Sequence, residues 1–364
     1  MKIICIVGMG RAGIEFLQSL FDSHSQILQM PGILRFNQKF IDSLELDTNF
    51  FISSFIKSNE QFFDSRMQKL ERHDQLGLKK NGYYAVSKKK FKKNFFNIYR
   101  KTSQKKIDRI ICLHKAYAKA SKIFLRNKKI LVLNIHSLDY FKNFNDTFKN
   151  YKKIKILITV RDPLASLCST IKNWLNYENG RHLTSQSLFL NIYVHLNTIN
   201  DLIKYKRDII IIQLEQLHRN SKKTLKTLCK KLLIKYEKCL LKSTFFNKEW
   251  WGDSVTKKYI NGLNPNFKNS FKRKFFYEKD ISIIENKIFT IIKKYNYKFR
   301  SKKKFNYFDI FLPFKFELLV WFNCIKNKDL KQILLIPFYY FKRIILVFFI
   351  KQKKISMLPD SILQ

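Results

Sequence analysis

The sequence predicts an α/β protein built on a parallel sheet, and three observations point there. Short apolar runs with the length of buried strands occur at residues 2–7, 130–134, 154–160 and 209–214; longer segments with helical spacing separate them; the alternation stops near residue 240. Strand, helix and strand in turn is the order of crossover connections, and strands covered on both faces read as continuous apolar runs. Ligands of such sheets gather at the carboxyl ends of the strands, so the turns leaving those ends are where function is sought.

Composition sets the outer limits. A chain of 364 residues, 46% hydrophobic and 15% aromatic, can bury a large core in one large or two modest domains, which excludes disorder throughout. The 71 basic residues, 57 of them lysine, exceed the 27 acidic ones to give a net charge of +44. Two readings stay open: the lysines, scattered among many Ile, Asn and Phe, reflect an AT-rich coding sequence, or they attract a polyanion such as an anionic membrane face. A nucleic acid is not the partner expected. Cys5, Cys112, Cys168, Cys229, Cys239 and Cys324 form no CxxC pair and no His/Cys cluster, so they read as reduced core residues with no metal expected. Residues 1–7 are too short for a signal peptide and run straight into Gly8, Gly10 and Arg11, which makes the cytoplasm the expected location.

The elements follow in order. Residues 2–7 are a strand bounded by glycine. Residues 13–21 are a helix with Phe16, Leu17 and Leu20 on one face, closed by Asp22-Ser23-His24. An insertion over about 36–126 is mostly helical and rich in Phe and Lys, with a turn at Lys80-Asn81-Gly82 and a helix over 107–124. Three further strands then alternate with helices. Beyond residue 240, Trp250-Trp251-Gly252-Asp253 and Asn261-Gly262-Leu263-Asn264-Pro265 mark loops, and residues 279–294 are helical. The expected division is an α/β domain over 1–300 and a helical tail over 301–364.

The turn after the first strand is Gly8-Met9-Gly10-Arg11-Ala12-Gly13-Ile14-Glu15. Glycines let a backbone approach a phosphate, and the helix that follows offers free N–H groups at its positive end. As a nucleotide-triphosphate loop the turn fails, because Ile14 and Glu15 stand where Lys and Ser/Thr are needed. As a dinucleotide fingerprint, Gly8-x-Gly10-x-x-Gly13 matches, but no acid follows at the expected distance to hold a ribose. Arg35 in that region suits a 2′-phosphate instead, so an NADP-dependent oxidoreductase is the alternative reading.

A second turn carries more information. Ile158-Thr159-Val160-Arg161-Asp162-Pro163 is a strand end, a charged turn and a helix start, with Ser169 about two helical turns on. Arg161 and Ser169 at that spacing suit a phosphate monoester held from two sides. Further on, Ile211-Ile212-Gln213-Leu214-Glu215-Gln216-Leu217 ends another strand.

Together these segments resemble the sulfotransferase family. Arg11-Ala12-Gly13-Ile14-Glu15-Phe16-Leu17 followed by Asp22-Ser23-His24 resembles its 5′-phosphosulfate loop and helix. The Arg161-Asp162-Pro163 turn with Ser169 resembles its 3′-phosphate element, and Glu215 its Glu-Asp-Leu strand end. The resemblance runs over roughly residues 1–235 and implies a P-loop-like parallel sheet flanked by helices. It implies a transferase moving a sulfuryl group from 3′-phosphoadenosine 5′-phosphosulfate to a hydroxyl or amine, with no metal. Gly8, Gly10, Arg11, Ala12, Gly13, Ile14, Glu15, Arg161 and Ser169 are then the nucleotide-binding positions. Arg11 would stabilise the leaving phosphate and Glu215 would brace the site. His136, just past its strand, is the first candidate for general base, as in cytosolic members of the family, and Glu15 is the second. His24 reads as a helix cap. Asp253 beside Trp250 and Trp251 lines an acceptor pocket or, equally, the tryptophans pack in a core. Lys272-Arg273-Lys274 offers a cation or a solvated charge run.

The tail turns strongly apolar from Tyr307. Residues 314–322 form one apolar segment, and the runs 330–341 and 344–350 are split by Lys342-Arg343, so no uncharged run is long enough to span a bilayer. Apolar helices bracketed by lysine suit an anionic membrane interface; a pair of core-covering helices is the other reading. The membrane reading makes a glycan or glycolipid the expected acceptor and a peripheral site at the inner membrane face the expected refinement of a cytoplasmic location.

Overall fold

A computed structural model of the chain describes residues 1–67, 76–176, 183–252, 262–269 and 271–363. Its centre is a five-stranded parallel sheet of β1 (Lys2–Gly8), β2 (Ile27–Gln29), β3 (Ile130–His136), β4 (Ile154–Val160) and β5 (Asp208–Gln213), in the order β2-β3-β1-β4-β5. Successive residues of β1 serve opposite faces. Ile3, Cys5 and Val7 join one apolar cluster, while Ile4 and Ile6 join the other. A strand buried on both faces needs no polar alternation, which is why these segments read as unbroken apolar runs.

Helix α1 (Ile14–Leu20) follows β1 and covers the second face with α9 (Leu214–Arg219) and α10 (Ser221–Leu232). The insertion is broken rather than continuous: α2 (Gln38–Ser43), α3 (Thr48–Ser58), two short 3-10 turns, α4 (Lys88–Tyr99) and α5 (Lys106–Ala120). Its core is aromatic. Phe91, Phe95 and Tyr99 recur every fourth residue on α4 and meet Phe51, Phe55 and Phe63, leaving the lysines of that helix outside. Helix α6 (Leu138–Thr147) follows β3; α7 (Pro163–Asn176) and α8 (Ser185–Ile203) lie between β4 and β5. A two-stranded ribbon of β6 (Thr244–Phe245) and β7 (Lys248–Glu249) precedes α11 (Glu278–Lys287) and α12 (Phe289–Lys294).

In the tail, the two apolar runs on either side of Lys342-Arg343 belong to one helix. After α13 (Lys315–Lys326) a single helix, α14 (Leu330–Phe349), runs through both residues. By length and composition it is apolar enough to cross a membrane. Basic residues are good helix formers, and here neither charge is left unanswered. The Arg343 guanidinium is fully buried, bonded to the Glu317 carboxylate and to the carbonyls of Ile310 and Leu312, while the Lys342 ammonium lies 5.0 Å from the Phe338 ring centre. The tail packs on the α/β layers. Helix α14 lies along α8, and Ile362 donates its N–H to the Ile211 carbonyl at 3.0 Å, extending the edge beside β5.

Candidate active site

Strand order reverses about β1: the chain leaves β1 for β2 on one side and leaves β3 for β4 on the other. The carboxyl ends of β3, β1 and β4 therefore meet at a topological switch point, where α/β sheets bind their ligands. The 8–13 turn lies there, with His136 paired beside Val7 and Thr159 paired beside Gly8.

Within the turn, close packing explains the glycines. A Cβ on Gly8 would lie 2.6 Å from Ile14 Cγ1 and 2.8 Å from Thr159 Oγ1. Gly13 has φ +81°, and its Cβ would lie 2.6 Å from Leu214 Cδ1, so both conformation and space demand glycine. Arg11 takes a left-handed φ of 58°. Ala12 is buried with its N–H on the Met9 carbonyl, and the Ile14 side chain folds back onto Gly8 instead of facing outward as a hydroxyl residue would. Glu15 is half-buried in the first turn of α1, where its charge adds to burial in raising the Tyr84 phenol.

Arg161, at the end of β4, joins the two predicted halves. Its Nη1 donates to the Arg11 carbonyl at 3.1 Å and its Nε to Asn269 Oδ1 at 3.2 Å. Asn269 Nδ2 donates in turn to Glu215 Oε1 at 2.6 Å, and that oxygen also accepts the Asp162 N–H at 3.0 Å. Glu215 thus braces the arginine through an asparagine outside the matched motifs. Burial lowers the Arg161 pKa, with Arg11 adding to the shift and Glu215 opposing it; an arginine so shifted is still a cation. Phe16, His218 and Phe267 stack in sequence with centroids 4.7 and 4.5 Å apart, and the last ring lies 5.6 Å from the Arg161 guanidinium.

Helix α7 begins with the Asp162 carboxylate capping the Ala165 N–H at 3.0 Å, and Arg300 holds the same carboxylate with two nitrogens. Ser166 donates to the Gly10 carbonyl. The predicted Ser169 is half-buried one turn on, next to Thr170, whose Oγ1 is 3.8 Å from a Gly10 Cβ position.

His136 is half-buried at the carboxyl end of β3 with φ 66°, a strained value for a side chain, and its buried Nδ1 has no partner among the described residues. His195 on α8 was missed in the sequence, because a lone histidine on a long helix carries no local signal. Its Cε1 lies 3.4 Å from a Gly10 Cβ position. Nδ1 bonds the Asn191 carbonyl at 2.7 Å; a carbonyl only accepts, so Nδ1 carries the proton and Nε2 is a buried acceptor without a partner among the described residues. Burial holds this imidazole neutral, with its pKa lowered to about 4. With Thr159 Oγ1, also buried, three polar atoms around the turn have no partner among the described residues.

Other sequence candidates lie elsewhere. His24 is buried beyond the far end of α1, bonded to the Lys235 carbonyl and the Gln26 N–H. Trp250 is buried against Phe245, and Trp251 donates to the Gly77 carbonyl beneath the Lys80 ammonium. Arg273 pairs with Glu278 and the Arg300 carbonyl, in a basic run at 272–274 that is exposed. Arg35 is exposed. Asp253 and Asn261 lie outside the described residues.

A family model described as the Sulfotransferase family matches residues 4–238. No curated protein matches the chain. Among solved structures it is similar to the sulfotransferase domain from the Synechococcus PCC 7002 olefin synthase, with 14% identity and a TM-score of 0.41 over 70% of this chain and 79% of that one. It is similar also to the sulfotransferase domain from the curacin biosynthetic pathway, with 14% identity and a TM-score of 0.39 over 82% of this chain and 99% of that one. The family match runs from β1 past α10, taking in all five strands of the sheet, the glycine turn, Arg161 and Glu215, and on that match the chain belongs to the Sulfotransferase family.

Proposed function

We propose that the donor is 3′-phosphoadenosine 5′-phosphosulfate and that the acceptor is a hydroxyl or amine of a glycan or glycolipid. The observation that carries the reading is the bond from Arg161 to the Arg11 carbonyl, which links the turn proposed for the 5′-phosphosulfate to the element proposed for the 3′-phosphate. In the reaction the acceptor atom attacks sulfur, the bond from sulfur to the phosphate oxygen breaks, and the acceptor's proton passes to a base. Negative charge grows on the leaving phosphate, so positive charge fixed in advance is the main catalytic resource. Arg11 and the backbone of the 8–13 turn serve the leaving group, and Arg161 with Ser169 anchors the distant phosphate, contributing binding energy remote from sulfur. His136 is the proposed base, supported by its partnerless Nδ1 and its place beside the glycine turn. Glu15, in the first turn of α1, is the second candidate.

The experiment is a thermal-stability titration with adenosine 3′,5′-bisphosphate, beside ADP and NADPH. Ligand at about 100 times its dissociation constant stabilises the fold by roughly 2.7 kcal/mol. A shift confined to the bisphosphate and lost in Arg161→Ala supports the donor assignment; a shift with NADPH alone transfers the site to a dinucleotide and sinks it.

A further inference from the structure

The outer face of α14 is a continuous apolar stripe on which none of the described residues packs. Leu330, Leu334, Phe338, Phe341, Ile345 and Phe349 are 73%, 81%, 54%, 62%, 57% and 70% exposed. At helical spacing these six fall within an arc of about 100°, along a helix about 30 Å long. The opposite face is the seam that holds the helix to the protein, through Ile333, Ile336, Arg343 and Val347. Single exposed apolar side chains are ordinary, but an unbroken stripe of large ones marks an interaction surface.

Charge at its borders identifies the occupant. Exposed Lys326, Lys328 and Lys331 stand at one end, and exposed Lys351 and Lys354 at the other. Exposed Lys342 lies along the middle at the edge of the stripe, its ammonium 5.0 Å from the Phe338 ring centre and 5.9 Å from that of Tyr339, a cation at the border of the apolar face. Apolar residues inward with lysines at the margin is the pattern of a helix seated in an anionic lipid interface. A second copy of the chain fits less well: pairing two such faces about a two-fold axis would bring lysine ends together on molecules that each carry +44. Spanning fits less well too, since drawing α14 into a bilayer core would separate buried Arg343 from Glu317 of α13 and strip the seam from α8.

We propose that α14 is a monotopic membrane-docking helix, lying in the plane of an anionic leaflet with its 330–349 stripe in the headgroup and acyl boundary. The inference is independent of the nucleotide assignment.

Flotation of the full chain with vesicles tests it. The protein is expected to float with phosphatidylcholine vesicles containing phosphatidylglycerol, to stay behind with phosphatidylcholine alone, and to be partly released by salt. The double variant Leu334→Glu, Phe338→Glu changes only exposed positions; it is expected to partition at least about tenfold less with an unchanged melting temperature. Lys351→Glu with Lys354→Glu, away from the stripe, is expected to weaken flotation as well. Absence of flotation, equal flotation with neutral and anionic vesicles, or full retention by both double variants overturns the proposal. Resistance to alkaline carbonate overturns it in favour of a span. A lipid-free dimer dissolved by Leu334→Glu, Phe338→Glu overturns it in favour of a second copy.

Discussion

Arg161 donates to the backbone carbonyl of Arg11, 150 residues earlier in the chain, at 3.1 Å. The contact holds the end of β4 against the turn that leaves β1. The shape of that turn and the direction of the guanidinium are therefore set together, and both depend on what holds Arg161 from behind.

The support behind it is Asn269 and then Glu215. Asn269→Ala removes the acceptor for Arg161 Nε while leaving Glu215 bonded to the Asp162 N–H. Both bonds are present in the unliganded fold, and a hydrogen bond to a charged group is worth about 1.5–3 kcal/mol, so the free protein should melt lower, and adenosine 3′,5′-bisphosphate should bind more weakly by calorimetry because Arg161 is no longer held in place. Unchanged affinity would show that Arg161 is positioned without this relay.

Gly13 is constrained twice over, by φ +81° and by Leu214 Cδ1 at 2.6 Å from its missing Cβ. Gly13→Ala should cost about 1–3 kcal/mol in urea unfolding and weaken nucleotide binding, because the turn and the start of α1 must shift to make room. Gly262 also has a positive φ, of +65°, with none of the described residues within 4 Å of a Cβ placed there. The strain of Gly262→Ala is conformational alone, so its cost should be the smaller of the two.

Burial lowers His114, His195 and His218 from the usual 6.5 to about 4, chiefly by desolvation, with the Arg161 charge lowering the last two further. The folded state then binds fewer protons than the unfolded chain between those values. Stability from these groups is fully present above pH 6.5 and is lost as pH falls toward 4. Each wholly buried imidazole contributes a slope of up to about 1.4 kcal/mol per pH unit. Urea unfolding of His114→Leu should show a shallower loss across that window than the parent protein; an identical slope would mean that His114 does not stay neutral in the fold.

The three central strands, the glycine turn and the Arg-Asp-Pro turn were legible in the sequence because each is local. An apolar run of strand length bounded by glycine has few alternatives, and the spacing from Arg161 to Ser169 is fixed by a single helix start. The same locality sets a limit in the tail: the sequence shows Lys342-Arg343 dividing two apolar runs, but not the partners of its charges, Glu317 and the ring of Phe338.

Other features were decided by tertiary structure alone. His195 gains its place beside Gly10 only because α8 packs across the carboxyl end of the sheet, and it becomes a neutral acceptor only through burial. Asn269 and Arg300 enter the site from loops whose sequences carry no motif, since a side chain that braces another residue needs only reach and polarity. The stripe on α14 is likewise a decision of packing. Composition made the helix apolar all round, and the seam on α8 and α13 determined which face was left for something else to cover. The sequence by itself thus determined four of the five sheet strands, missing the three-residue β2, and the residue content of the two turns proposed for phosphate, because backbone conformation and apolar spacing are short-range properties. Which distant side chains complete the site, and which apolar surface stays bare, depends on contacts across more than a hundred residues that exist only once the layers have closed.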